Sequence, residues 1–367
     1  MDAIRVALVH DWLNQSGGAE DVLAALVRMF PAAPIYTSIY APERVRSGFR
    51  NQDVRVSWAD RLPGIHRHQQ RYLLAFPFAF RGFDLSGYDL ILSNKSGFCH
   101  GVRKPNRAKH ICYCLTPTRY VWNLESYLEQ EQFHPLLPTL IQPFMGWLQR
   151  WDRRAADRVD YFVAISSAVQ RRIARFYGRD SAIIHPPIDT DRFRPRAQKG
   201  EYFLVVSRLI PYKRIDLAVQ ACTKLGLPLI VAGDGRDRRR LEALSGPTVQ
   251  FVGHVSDADL PDLMGGCRAF LFPGCEDFGI APVQAMATGR PVIAFAGGGA
   301  LDYVRAGHTG ILFEEQSLHS LTEALSSCED GVFDAGEIRE EAIRFDRSQF
   351  ESKFRDLIET IWNSEDT

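Results

Sequence analysis

Ala269-Phe270-Leu271-Phe272-Pro273-Gly274-Cys275-Glu276-Asp277-Phe278-Gly279-Ile280-Ala281-Pro282-Val283-Gln284-Ala285-Met286-Ala287-Thr288-Gly289-Arg290 is the stretch that decides the fold. The apolar run 269–273 reads as a buried strand, and the small residues from Pro282 onward read as a helix. A glycine turn lies between them. In an open α/β sheet, ligands gather at the carboxyl ends of the strands, where backbone N–H groups at a helix start can face a phosphate. Glu276 would stand at the mouth of that crevice. Local pattern leaves a plainer reading open, in which Glu276 caps the helix and Gly279 only turns the chain.

The chain has 367 residues, and at about 150 residues per domain this indicates two domains or three, with two as the working figure. Hydrophobic residues make up 46% and charged residues 24%, and no apolar run has the length of a membrane span, so the composition is that of a globular protein folding in water. Met1-Asp2-Ala3-Ile4-Arg5 enters a strand-like run without the regions of a signal peptide, and a cytoplasmic location is expected. Forty-four basic residues balance 44 acidic ones, which excludes a global basic field for nucleic acid. The seven cysteines form no CxxC pair, and Cys112 and Cys114 share a strand face without metal-ligand spacing; they read as reduced and mostly buried.

Taken in order, Ile4 to Val9 is a first parallel strand, followed by Ser16-Gly17-Gly18-Ala19-Glu20 and a helix through Phe30. The paired glycines allow close backbone approach to a phosphate or sugar, and equally a tight turn. Ala33 to Ser38, Val54 to Ser57, Asp89 to Ser93, His110 to Cys114 and Tyr161 to Ile165 resemble short buried strands, and Ala182 to Pro187 closes the first half. Asp189 to Lys199, with Arg192, Arg194 and Arg196 and little periodicity, reads as an interdomain linker. A second cycle runs through Tyr202 to Ser207, Leu229 to Ala232, Val249 to Val252, Ala269 to Phe272, Val292 to Phe295 and Gly310 to Phe313, with helical patterns between. The fold class is therefore α/β: two Rossmann-like doubly wound domains, residues 1–195 and 196–348, expected to face each other across a cleft. The C-terminal helix, within 349–367, has the option of packing back on the first domain. Two basic and aromatic segments, Arg61 to Phe83 (with His66, Arg67, His68, Arg71 and Arg81) and Trp147 to Arg154, read either as helices covering the sheet or as a seat on an anionic membrane.

The loop Ser207-Arg208-Leu209-Ile210-Pro211-Tyr212-Lys213-Arg214 follows the first strand of the second cycle, and its cations suit a diphosphate: guanidinium binds oxygens in a fork, lysine adds a compact charge. A solvated charged loop is the plainer reading. Gly233-Asp234-Gly235-Arg236-Asp237-Arg238 lacks the third glycine of a dinucleotide fingerprint, which weakens an oxidoreductase reading. P-loop, hydrolase-elbow and HExxH patterns are missing.

Gly17-Gly18-Ala19-Glu20, Val206-Ser207-Arg208 with Lys213, Gly233-Asp234-Gly235, Phe251-Val252-Gly253 and above all Glu276-Asp277-Phe278-Gly279-Ile280 make the chain resemble the retaining nucleotide-sugar glycosyltransferases of GT-B fold, family 4, over nearly its whole length. Tyr113-Cys114-Leu115-Thr116-Pro117-Thr118-Arg119-Tyr120 and Gly297-Gly298-Gly299-Ala300-Leu301 resemble the bacterial mannosyltransferases of that family that build O-antigen and other surface polysaccharides. The resemblance implies transfer of a hexose, mannose from GDP-mannose, to a glycan or lipid-linked oligosaccharide acceptor held by the first domain, with no metal, no further cofactor and no nucleic acid partner. A UDP-sugar or a 6-deoxy sugar donor, or a pseudo-enzyme that binds sugar nucleotide without transfer, are the alternatives. A location on the inner face of the membrane would follow from a lipid-linked acceptor.

It further implies that Arg208 and Lys213 clamp the donor diphosphate, that Glu276 holds a sugar hydroxyl beside the oxocarbenium-like centre, and that Phe278, Gly279 and Ile280 offer backbone donors. The nucleotide base would lie near Val252, Gly253 and His254, and Gly17 and Gly18 would close over the phosphates. Two positions depart from the family pattern. Gln284 stands where a second glutamate usually binds ribose, and its amide loses charge-assisted strength. Leu115 stands where the look-alikes carry a histidine near the donor sugar, so the site either favours a 6-deoxy sugar or draws that contact from His100 or His10.

Overall fold

The computed structural model of the protein describes residues 4–122, 137–196, 200–328 and 331–363. The chain divides into two compact units, Met1–His185 and Pro186–Thr367. The first is built on a parallel sheet of β1 (Val6–His10), β2 (Ile35–Thr37), β3 (Val54–Val56), β4 (Leu90–Lys95), β5 (Lys109–Cys114), β6 (Tyr161–Ala164) and β7 (Ser181–Ile183), in the order β3-β2-β1-β4-β5-β6-β7. β1 and β4 are buried at every residue, as strands covered by helices on both faces must be. β3 departs from the expected buried strand: it is the sheet edge, and Arg55 and Val56 are exposed.

The second unit carries β8 (Phe203–Val206), β9 (Leu229–Ala232), β10 (Val249–Gly253), β11 (Ala269–Phe272), β12 (Val292–Phe295) and β13 (Gly310–Phe313), all parallel, in the order β10-β9-β8-β11-β12-β13. Its core joins Phe203, Val205, Leu229, Val231, Leu271 and Ile293 of the sheet to Leu217, Cys222 and Leu321 of the helices. In each unit the strand order reverses once, between β1 and β4 and between β8 and β11. The loops leaving those neighbouring strands diverge to opposite faces, which opens a crevice at their carboxyl ends.

The expected linker is not one. Residues 189–196 belong to the second unit, and 197–199 lie outside the described residues. The Ile188 N–H donates to the Phe345 carbonyl at 2.8 Å, the Arg347 N–H returns to the Ile188 carbonyl at 2.9 Å, and the Thr190 hydroxyl donates to Asp346 at 2.7 Å. The polar character of this run serves ion pairs and hydrogen bonds, including Arg347 with Asp189, instead of flexibility. The final helix, Arg347–Asn363, also falls in the second unit, with Phe350, Phe354, Ile358 and Ile361 buried along one stripe. Among the described residues no helix is long and apolar enough to cross a membrane.

The backbone donors at the crevice of the first unit are taken by its own side chain. Asp11, directly after β1 and fully buried, accepts from the backbone N–H groups of Ser96 and Gly97 at 2.6 Å each, Phe98 at 2.6 Å and Cys99 at 2.7 Å. One carboxylate thus satisfies the whole turn after β4. Asp11→Asn keeps the shape but turns an NH₂ toward those donors, and is expected to cost about 3 kcal/mol or more in urea unfolding; a midpoint equal to wild type would show that the turn holds without the charge.

Candidate functional site

At the reversal in the second unit, β8 runs into Ser207–Arg214, which includes a 3-10 turn at Pro211–Lys213, while β11 runs into residues 273–279. Gly274 lets the two loops touch: a Cβ there would lie 2.9 Å from the Lys213 carbonyl oxygen and 3.1 Å from its Cα. The contact brings Lys213 Nζ onto Glu276 Oε2 as an ion pair, with the two side chains only 15% and 16% exposed. Glu276 is therefore not a helix cap. The cap position is Gly279, in a left-handed conformation with φ +93°, and no side chain caps the helix Ile280–Ala287, which begins two residues before Pro282.

The backbone of Glu276 is held from β12. The Gly299 N–H donates to the Glu276 carbonyl at 2.9 Å, and Gly298, with φ +66°, lies so close that a Cβ would be 2.1 Å from that oxygen. Phe278 is buried edge-on against Tyr303, 5.4 Å between centroids, and the Tyr303 hydroxyl donates to the Phe278 carbonyl at 3.0 Å. Burial, and then the charges of Glu276 and Asp302, push the Tyr303 hydroxyl well above its ordinary pKa, so it remains a donor. Arg208 is exposed on the loop after β8, and Gln284 is half-buried one turn into the helix after Gly279. Gly233 and Gly235 let the loop after β9 lie on the loop after β8: added Cβ atoms would meet Ser207 O at 1.9 Å and Leu209 O at 2.2 Å. That close packing accounts for the Gly-Asp-Gly run.

Val252, Gly253 and His254 stand at the end of β10, two strands along from β8. They share the carboxyl edge of the sheet with Glu276, and Val252 and His254 are exposed there. Gly17 and Gly18 begin the helix Gly18–Met29 in the first unit, with exposed backbone. Leu115 is nearly buried and donates its N–H to the Lys95 carbonyl at 2.8 Å. Among the described residues no group of three or more His, Cys, Asp or Glu side chains is gathered as a metal cage.

Sequence reading missed a buried polar network under the loop after β5. Lys95 Nζ donates to Thr118 Oγ1 at 3.0 Å, that hydroxyl lies 2.8 Å from Asp152 Oδ1, and Trp122 Nε1 and the Tyr177 hydroxyl each donate to Asp152 Oδ2 at 2.7 Å. Burial is the largest influence and works against the Lys95 charge, but Asp152, Cys114, Cys112 and Asp11 together outweigh it and the pKa is raised. His100 is committed to this interior, its Nε2 3.3 Å from the Asp152 carbonyl oxygen, and burial followed by Lys95 drives its pKa well down. A lysine closing the strand Leu90-Ile91-Leu92-Ser93-Asn94-Lys95 was the available signal.

Two family models match the chain: glycosyltransferase family 4 over residues 16–192, and glycosyl transferases group 1 over residues 187–344. The GDP-mannose-dependent alpha-(1-6)-phosphatidylinositol monomannoside mannosyltransferase of Mycobacterium tuberculosis is 30% identical over 206 residues, 47% of this chain and 54% of that protein. The D-inositol 3-phosphate glycosyltransferase of Mycobacterium bovis is 30% identical over 200 residues, 47% of this chain and 42% of that protein. The chain spans about half the length of the curated relatives it matches. Among solved structures, Anabaena Alr3699/HepE in complex with UDP and glucose superposes with a TM-score of 0.70 at 19% identity, covering 97% of this chain and 99% of that one. The sucrose-phosphate synthase of Thermosynechococcus elongatus gives 0.76 at 19% identity, covering 98% and 100%. These two likenesses establish the fold.

The glycine cradle around Glu276 can be tested by comparison. Gly298 and Gly307 both have positive φ, +66° and +79°, but only Gly298 faces backbone, while Gly307 opens on free space. Gly307→Ala is expected to cost about 1 kcal/mol of strain and Gly298→Ala at least about 2 kcal/mol more, read from denaturant midpoints. Equal losses would refute the close contact.

Proposed function

We propose, since this chain belongs to the family 4 glycosyltransferases of GT-B fold, that it is a retaining hexosyltransferase moving mannose from GDP-mannose to a glycan acceptor in surface polysaccharide synthesis. The observation that carries the reading is the Lys213–Glu276 pair at the reversal of the second sheet. Lys213 and Arg208 would take the donor diphosphate and stabilise charge on the departing nucleotide, a task that side-chain cations perform here without calling for a metal. Glu276, released from Lys213, would hold a sugar hydroxyl and face the oxocarbenium-like centre while the acceptor attacks on the leaving-group side. Phe278, Gly279 and Ile280 would add backbone contacts, Gln284 a ribose contact without charge, and Val252, Gly253 and His254 the wall for the base. Gly17 and Gly18 would offer the donor an approach free of side chains.

GDP-mannose is favoured by the name of the Mycobacterium tuberculosis relative; the UDP bound to the Anabaena protein makes a UDP-sugar the second reading. Incubating the protein with GDP-mannose or UDP-glucose and a lipid-linked oligosaccharide, and measuring released nucleotide, separates them. Release from UDP-glucose alone would move the donor assignment, and binding without release would make the protein a pseudo-enzyme. Glu276→Gln is expected to lower release at least about 100-fold while GDP affinity, measured by calorimetry, holds or rises, because Lys213 loses its competing anion. Parallel loss of GDP binding would count against the assigned roles.

A lipid-linked acceptor is favoured by one exposed face of the first unit. Phe78 and Trp147, from the two basic and aromatic segments, stack at 5.8 Å, with Leu74 and Phe144 exposed and with Arg67, Arg71, Arg81 and Arg150 exposed on the same segments. Exchanging Arg67, Arg71 and Arg81 for Glu should weaken binding to phosphatidylglycerol vesicles at least about tenfold, given roughly 1 kcal/mol per basic residue at such a surface. Unchanged sedimentation with vesicles would remove the membrane from the account.

A further inference from the structure

At the carboxyl end of β1, three buried side chains converge: His10 and Glu20, each 1% exposed, and Asn94, fully buried. Asn94 Nδ2 donates to the Ala19 carbonyl at 2.8 Å, which fixes the amide, and the same NH₂ lies 3.3 Å from His10 Nδ1. Nδ1 is thereby the acceptor, and the ring proton sits on Nε2. Nε2 faces Glu20 Oε1 at 3.6 Å, too far for an N–H···O bond. Among the described residues, neither Glu20 oxygen, nor His10 Nε2, nor Asn94 Oδ1 has a hydrogen-bond partner. Leaving a carboxylate buried without donors is expensive, and groups left this way mark a place where something else completes the bonding.

The chemistry of that missing partner is narrow. It must accept from His10 Nε2–H and donate to Glu20, and a hydroxyl does both. An anion fails, because Asp11 has already taken the N–H groups of the turn after β4 and both Asp11 and Glu20 repel it. A cation fails because His10 presents it with a donor. Access is short: a Cβ on Gly17 would sit 3.3 Å from Glu20 Oε2, so the carboxylate lies directly under exposed glycine backbone. The helix Gly18–Met29 places Glu20 in its first turn, where the helix dipole supports the negative charge.

We propose that His10, Glu20 and Asn94 form a subsite for one hydroxyl of a hexose, reached past Gly17, with Glu20 accepting and His10 donating. The proposal rests on the glycosyltransferase reading, and the hexose is that of the donor or that of the acceptor. Calorimetric titration of the wild type, Glu20→Gln and His10→Phe with GDP, GDP-mannose and methyl α-D-mannopyranoside tests it. Both variants are expected to keep GDP affinity, and Glu20→Gln to keep or raise the melting temperature, since it removes a buried charge. A loss of about tenfold confined to GDP-mannose assigns the hydroxyl to the donor hexose, and one confined to the mannoside assigns it to the acceptor. Unchanged affinity for both sugars overturns the proposal in favour of a bound water, and so does a matching loss of GDP affinity in both variants, which would mean a structural role. A wild type that binds none of the three probes but binds UDP overturns the GDP-mannose assignment and not the subsite, which is then read from the same variants with UDP-glucose, unchanged affinity again overturning it.

Discussion

The second unit is organised around one ion pair. Lys213 and Glu276 come from loops that leave neighbouring strands in opposite directions, and both are largely withdrawn from water. A charge so placed is tolerated because the other is there; either one alone would be a buried ion without a partner. Holding them together takes glycine at three points of close approach. Gly274 admits the Lys213 backbone, Gly298 the Glu276 carbonyl, and Gly279 the Phe272 and Tyr303 rings. The same pair is open to exchange, since an incoming phosphate would offer Lys213 a second anion, and Glu276 would then be free to meet a neutral hydroxyl.

Much of this was legible in the residue order, for a physical reason. Strands buried on both faces of a parallel sheet appear as uninterrupted apolar runs, and Phe203–Val206, Leu229–Ala232, Ala269–Phe272 and Val292–Phe295 each lie within the stretches read as strands. Edge position is invisible to that signal, so Val54-Arg55-Val56 was misread as buried. The run after Asp189 was misread as a linker because its partners, Phe345 to Arg347, lie at the far end of the chain, and no local pattern announces such pairing. In the site, Arg208, Lys213 and Glu276 stood out because glycine turns and strand ends surround them. Asp11 and Lys95 at strand ends and Asp152 within the helix Leu137–Ala156 did not, since a lone charge looks the same in sequence whether it faces water or a buried set of donors.

The two units repeat one topology with opposite chemistry at the point where the strand order reverses. In the first, Asp11 consumes the backbone donors of the facing turn, and Glu20 adds a second negative charge beside it. In the second, the residue after β8 is Ser207, and the next loop carries Arg208 and Lys213. Backbone geometry alone would suit either crevice to a phosphate, so the geometry does not decide which unit takes the anion. Side-chain charge does. On the proposed function a diphosphate would be repelled where Asp11 and Glu20 stand and attracted where Arg208 and Lys213 stand, whereas a sugar hydroxyl would find acceptors in Glu20 and, once Lys213 is engaged, in Glu276. If the proposed function holds, the few residues that follow β1 and β8 would be what gives two sheets of like strand order different ligands.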